Sequence, residues 1–200
     1  MKHEYHVLTA FGRLRNFQPM FQMLAPLGVT WHLLVEKSAQ GCLVSQQDLV
    51  RFEYFRNPPK DWSACHHLVN CFLEQVKPDK MARYVWLCDD DFLEPDFFNK
   101  LDAHDGEALI CSANRGQRQP KGSPHPPTVL LASPKNMRRG EVAGEQLIFS
   151  GRIGRAYRFG HTYSGDFDFI ASVMAHERLV YVPDAWIWYN YLEPGRWLEV

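Results

Sequence analysis

Short apolar runs alternate with stretches of helical period through the first half of the chain. Residues 5–10 (YHVLTA) read as a strand, and 16–27 (NFQPMFQMLAPL) as a helix that begins near Asn16 and ends at Gly28. TWHLLVE (30–36) is almost continuously apolar, which predicts a strand buried on both faces. LVRFEYF (49–55) alternates like a third strand. Asn57-Pro58-Pro59 breaks the chain, Asp61 is a plausible N-cap, and 62–76 reads as a helix with Cys65, Leu68, Val69 and Phe72 on one stripe. RYVWLC (83–88) is the fourth strand and runs directly into Asp89-Asp90-Asp91. A helix from Pro95 then packs Phe97, Phe98 and Leu101, and EALICSA (107–113) is the fifth strand.

This order predicts an α/β fold with a mostly parallel, mixed sheet and helices on both faces. Between 114 and 144 the pattern dissolves into a Pro-, Gly- and Ser-rich loop around one short strand (TVLLAS, 128–133). Loops of that length inside a compact domain are usually functional. Order returns with EQLIFS (145–150), a helix over 165–176 with an apolar stripe of Phe167, Ile170, Ala171 and Met174, and the strands LVYVP and AWIWYN. With no internal repeat and no clean linker, the 200 residues read as one domain with an embellished second half.

Composition sharpens this only in places. Hydrophobic residues at 46% and charged residues at 22% exclude a disordered or fibrous chain, and a net charge of −1 calls for no nucleic-acid or membrane partner of the whole molecule. There is no apolar run of about 18 residues and no signal-peptide pattern, so a soluble, cytoplasmic protein without a transmembrane segment is expected. The five cysteines (Cys42, Cys65, Cys71, Cys88, Cys111) form no C-x-x-C pair and read as buried reduced thiols.

The chemistry concentrates at the acidic triplet. In an open α/β sheet, ligands bind beyond the carboxyl ends of the strands. Three consecutive carboxylates there repel one another unless a cation neutralises them, and a hard divalent ion shared with a phosphate ligand suits that arrangement. The bland alternative is that they cap the following helix or are simply solvated. No G-x-x-x-x-G-K-[ST] accompanies the triplet, which excludes a P-loop NTPase, and no G-x-G-x-x-G follows the first strand, which argues against a dinucleotide site. A metal nuclease would need further carboxylates, for which only Glu36, Asp166, Asp168 and Asp184 are placed.

The order strand–TAFGRLRNF–helix, strand ending in Glu36, helix with Asn70, strand–Asp-Asp-Asp and later Ser-Gly-Asp-Phe-Asp-Phe resembles the nucleotide-sugar glycosyltransferases of the GT-A fold. The pattern is closest to the family 2 inverting type, with some likeness to glucuronyltransferases in HLLVEKS and VWLCDDD. The resemblance implies a Rossmann-like nucleotide-sugar-binding half (1–113) and an acceptor-binding half (114–200). It implies that Thr9, Phe11 and Arg13 wrap the nucleotide, that Glu36 meets uracil or ribose, and that Asn70 lies over the base. Asp89 and Asp90 would face ribose and sugar, and Asp91, closing the family's D-x-D pattern, would ligate Mn²⁺ or Mg²⁺. Asp166 matches the acid that deprotonates the acceptor, although Gly165 stands where a Glu often precedes it. His161 is the candidate for a third metal ligand.

The activity implied is transfer of a sugar from a nucleoside diphosphate, most naturally UDP, to an acceptor hydroxyl with inversion. A base-activated hydroxyl attacking in line inverts the anomeric carbon, and such a base contributes roughly 10²–10⁴ in rate. The rival reading of Asp166 is that it only caps its helix. From Ala108 to Gly140 there is no acid, while Arg115, Arg118, Lys121, Lys135, Arg138 and Arg139 are present, with Arg152, Arg155 and Arg158 beyond. That charge either solvates a loop or binds the diphosphate or an anionic acceptor, such as a glycan, a lipid-linked sugar or a modified DNA base. His66 and His67 have no partner at i+4 and read as structural. Trp186, Trp188, Tyr189, Tyr191 and Trp197 read as core. Two other classes stay open: a nucleotidyltransferase that builds sugar nucleotides, and a silent nucleotide- or nucleic-acid-binding module.

Overall fold

The computed structural model describes residues 2–37, 50–60, 63–114, 129–162 and 164–189. Among the described residues nine strands form one sheet: β1 (Tyr5–Ala10), β2 (Thr30–Glu36), β3 (Val50–Phe55), β4 (Arg83–Trp86), β5 (Phe92–Leu93), β6 (Ala108–Asn114), β7 (Val129–Leu130), β8 (Leu147–Ser150) and β9 (Leu179–Trp188). The helices are α1 (Phe17–Leu24), α2 (Ala64–Gln75), α3 (Phe97–Asp102), α4 (Gly151–Ala156) and α5 (Gly165–His176).

Across the sheet the order is β3-β2-β1-β4-β8-β6-β9-β5, with β7 paired to β6. The first four strands are mutually parallel. β8 inserts antiparallel between β4 and β6, and β9 runs parallel to β6. Apolar runs such as β1, whose six residues are all buried, sit in the middle because both faces are covered. One face carries Met20 and Leu24 of α1 and Phe97, Phe98 and Leu101 of α3. The other carries Leu68, Val69 and Phe72 of α2, Ile153 of α4, and Phe169, Ile170 and Val173 of α5.

This arrangement positions the site. The chain leaves β1 toward β2 and β3, then returns to β4 on the other side of β1. Loops after β1 and β4 therefore diverge and open a crevice at the carboxyl ends of the two strands. Leu87 N–H still bonds Leu8 O at 2.9 Å, so the acidic triplet begins two residues past the last sheet contact.

Several elements differ from the sequence reading. The helix expected over 16–27 is α1 flanked by 3-10 turns at Leu14–Asn16 and Ala25–Leu27. The strand expected over 128–133 is reduced to the two residues of β7. The two C-terminal strands are one: β9 continues through Pro183 by a bulge, Cys111 facing Val182 and Ser112 facing Trp186. Proline donates no backbone bond, so the ladder steps around it instead of ending. On α5 the buried apolar side chains are Phe169, Ile170 and Val173, whereas Met174 is 37% exposed, so the stripe lies one residue off its expected place. Asp61, the expected cap of α2, is outside the described residues.

Candidate active site

The triplet is built into the protein. Asp89 is fully buried, and its Oδ2 accepts the backbone N–H groups of Gly12 (2.8 Å) and Arg13 (2.7 Å) from the loop after β1. The Arg13 guanidinium closes on Asp89 Oδ1 and reaches Asp90 Oδ2 at 3.2 Å. Asp89 thus fixes the β1 loop and Arg13 across the crevice. Burial, with repulsion from Asp89 and against the pull of Arg13, pushes the Asp90 carboxyl up to about 6.

Asp91, also fully buried, accepts the Cys88 N–H at 3.3 Å. Opposite it stands Glu145, on a 3-10 turn at Gly144–Gln146 that leads into β8. Cys88 Sγ donates to Glu145 Oε1 at 3.0 Å, and the Tyr189 hydroxyl donates to Oε2. Glu145 is only 4% exposed; burial raises its pKa, as does the nearby Asp166 charge, against the pull of the two donors. One ligand atom from each of Cys88, Asp91 and Glu145 lies within 4.8 Å of the other two. Two ligands on one tetrahedral ion stand about 3.6 Å apart, so shifts of roughly an ångström would seat a cation here. The side chains that hold the Glu145 carboxylate are a thiol and a phenol, both neutral, so a cation would supply the charge that this buried carboxylate lacks. The residues fit a divalent ion. The sequence does not single out Glu145, because EQLIFS reads as strand from its first residue.

Asp166 opens α5 facing this cluster. Its Oδ2 accepts the Gly144 N–H at 3.2 Å and its Oδ1 the Phe167 N–H at 2.8 Å. A Cβ at Gly144 would stand 2.3 Å from the Trp86 ring and 2.8 Å from Asp166 Cβ, so only glycine lets the two turns close. Gly165 has the same kind of cause. A Cβ there would lie 2.0 Å from the Gly160 carbonyl oxygen, which leaves no room for the Glu that the resemblance would put before Asp166. His66 packs beneath, its Nδ1 bonded to Thr162 O at 2.9 Å and its ring against Trp86 and Phe159. His67 bonds the Arg56 carbonyl.

Other residues singled out in the sequence fall elsewhere. Thr9 is in the core with its hydroxyl accepting from Trp31 Nε1 at 3.0 Å, and Phe11 packs edge-on against Phe17 and Trp31. Asn70 bonds the Phe159 backbone at both ends of its amide, each at 2.9 Å. Glu36 ends β2, at the carboxyl edge of the sheet. His161 is exposed before α5 and does not belong to the one ligand cluster found among the described residues. Trp186 and Trp188 are half-buried, not core. Among the basic residues, Arg152 pairs with Glu107 and Glu177, Arg155 bonds the Lys77 and Pro78 carbonyls, and Arg158 pairs with Glu74. Arg139 binds Ser164 and Asp168 over the Phe167 ring. Lys135 and Arg138 are exposed; Arg115, Arg118, Lys121, Tyr191 and Trp197 lie outside the described residues. The four described cysteines are unbridged. No described helix is long and apolar enough to cross a membrane.

No protein-family model and no curated protein sequence matches the chain. Solved structures do. Residues 1–349 of Staphylococcus aureus TarS match over 92% of this chain and 60% of that one, with a TM-score of 0.57 and 12% identity. The same TarS segment in complex with UDP-GlcNAc matches with a TM-score of 0.54 and 10% identity, over 96% of this chain and 60% of that one. A 4-diphosphocytidyl-2C-methyl-D-erythritol synthase matches over 98% and 94% of the two chains, with a TM-score of 0.52 and 9% identity. This chain thus spans about 60% of the TarS segment. On its sheet order, its crevice and these likenesses, the protein has a GT-A-like fold, shared with TarS and with the synthase.

Proposed function

We propose that the protein is a metal-assisted, inverting glycosyltransferase that takes its sugar from a UDP-sugar. One observation carries this reading: the Asp89–Asp91 loop, Glu145 and Asp166 converge at the mouth of the crevice between β1 and β4. Asp91, Glu145 and Cys88 would hold a divalent ion, for which Mn²⁺ or Mg²⁺ is the family expectation. When bound, that ion neutralises charge on the leaving diphosphate. Arg13, pinned by Asp89, presents a guanidinium where the phosphates enter, and a planar fork suits phosphate oxygens. Asp90 lies beside it and would face the sugar, with Glu36 on the nucleoside side. Asp166, held by two backbone N–H groups on the rigid start of α5, would take the proton of the acceptor hydroxyl. Donor groups then come from residues 1–113 and the base from 114–200. Complexed UDP-GlcNAc in the TarS likeness supports the donor class.

A nucleotidyltransferase is the second reading, favoured by the synthase likeness, which extends over almost the whole of both chains. Turnover separates them. UDP release from a panel of UDP-sugars with Mn²⁺ is expected. Pyrophosphate release from CTP and a sugar phosphate instead would establish the second reading, and neither product would leave a binding module.

A further inference from the structure

We infer that Cys88 ligates the metal as a thiolate, so that the centre selects a borderline ion of the Zn²⁺ or Co²⁺ class over Mg²⁺. The inference rests on the metal-assisted reading above and narrows it. Mg²⁺ demands near-octahedral oxygen coordination and sheds water reluctantly, whereas only two of the three side chains in the cluster, Asp91 and Glu145, offer oxygen. The third ligand atom of the cluster is sulfur. Thiolate favours softer ions, and the affinity of such mixed sites rises from Mn²⁺ through Co²⁺ to Zn²⁺.

The geometry is prepared for this exchange. Cys88 Sγ already donates its proton toward Glu145 Oε1 at 3.0 Å. An entering ion replaces that proton: the S–H bond breaks, the proton leaves to solvent, a sulfur–metal bond forms, and no atom changes oxidation state. A surrounding shell orients two of the ligands. Tyr189 donates to the far oxygen of Glu145, and the Cys88 N–H donates to Asp91 Oδ2.

Cobalt reports directly on the sulfur. The full chain, without nucleotide, is titrated with Co²⁺ and followed by near-ultraviolet absorption. Expected is a thiolate-to-cobalt charge-transfer band that Zn²⁺ displaces and excess Mg²⁺ does not. Cys88→Ser should abolish the band and weaken Co²⁺ binding at least about tenfold. Cys65→Ser, removing a second thiol that senses the same acids, should leave the band in place. The inference is overturned if no band forms, if Mg²⁺ displaces the ion as readily as Zn²⁺, or if the band survives Cys88→Ser or vanishes in Cys65→Ser. Should Cys88→Ser not fold, the wild-type competition and the Cys65→Ser band decide the question. Because the readout needs no nucleotide, its failure leaves the UDP-sugar reading standing, and failure of UDP-sugar turnover leaves the cobalt result standing.

Discussion

Asn70→Ala separates two accounts of one residue. In the structure the Asn70 amide clamps Phe159, donating to its carbonyl and accepting its N–H, both at 2.9 Å and only 7% exposed. Phe159 in turn stacks on Phe169 of α5 at 4.2 Å and meets Trp86 and His66, so the clamp braces the helix that carries Asp166. Alanine strands one buried backbone donor and one acceptor. At about 1–2 kcal/mol each, the loss is on the order of 2–4 kcal/mol. For a chain of this size that lowers Tm by roughly 4–16 °C. Thermal unfolding measures it, and calorimetry with UDP below the transition measures the consequence for binding. A large fall in Tm with UDP affinity kept within a few-fold is expected. An unchanged Tm with UDP binding lost would refute the clamp and return Asn70 to the nucleoside, where the family resemblance puts it.

Gly165→Glu, which writes the family's Glu-Asp pair into this chain, should destabilise by more than about 3 kcal/mol, and Gly165→Ala nearly as much, because the Cβ itself meets Gly160 O. Equal stability of either variant in urea unfolding would contradict the close approach. His66 responds to pH. Burial lowers its pKa from 6.5, so its contribution to stability is complete above pH 6.5 and declines as the pH falls below that value. As the pH falls below 6.5, Tm of His66→Gln should therefore fall less steeply than that of the wild type. Parallel profiles would show that the imidazole does not titrate differently in the two states.

The parallel half of the fold was legible because its signals are local. β1, β2, α2 and α3 are each announced by an unbroken apolar run or a clean stripe, and the triplet stands out because it follows a buried strand. The other half depends on contacts distant in sequence. Glu145 looks like the first residue of a strand until β8 is seen to start at Leu147. α4, over GRIGRA, has two glycines in six residues and too weak a propensity to be read as helix, yet Ser150 caps it and Ile153 buries it. The family resemblance puts Thr9, Phe11 and Asn70 on the nucleotide, whereas in the structure their side chains meet Trp31, Phe17 and Phe159, partners distant in sequence that no local pattern reveals. Gly165 was visible as a departure, and only Gly160 O explains it.

The central claim is that Asp91 grips a divalent ion shared with the donor diphosphate. Calorimetry of UDP binding to the wild type and to Asp91→Asn, each with and without Mn²⁺, tests it most directly. Binding that requires Mn²⁺ in the wild type and loses that requirement, together with most of its affinity, in Asp91→Asn is the predicted result. Full-strength, Mn²⁺-dependent UDP binding by Asp91→Asn would contradict the account.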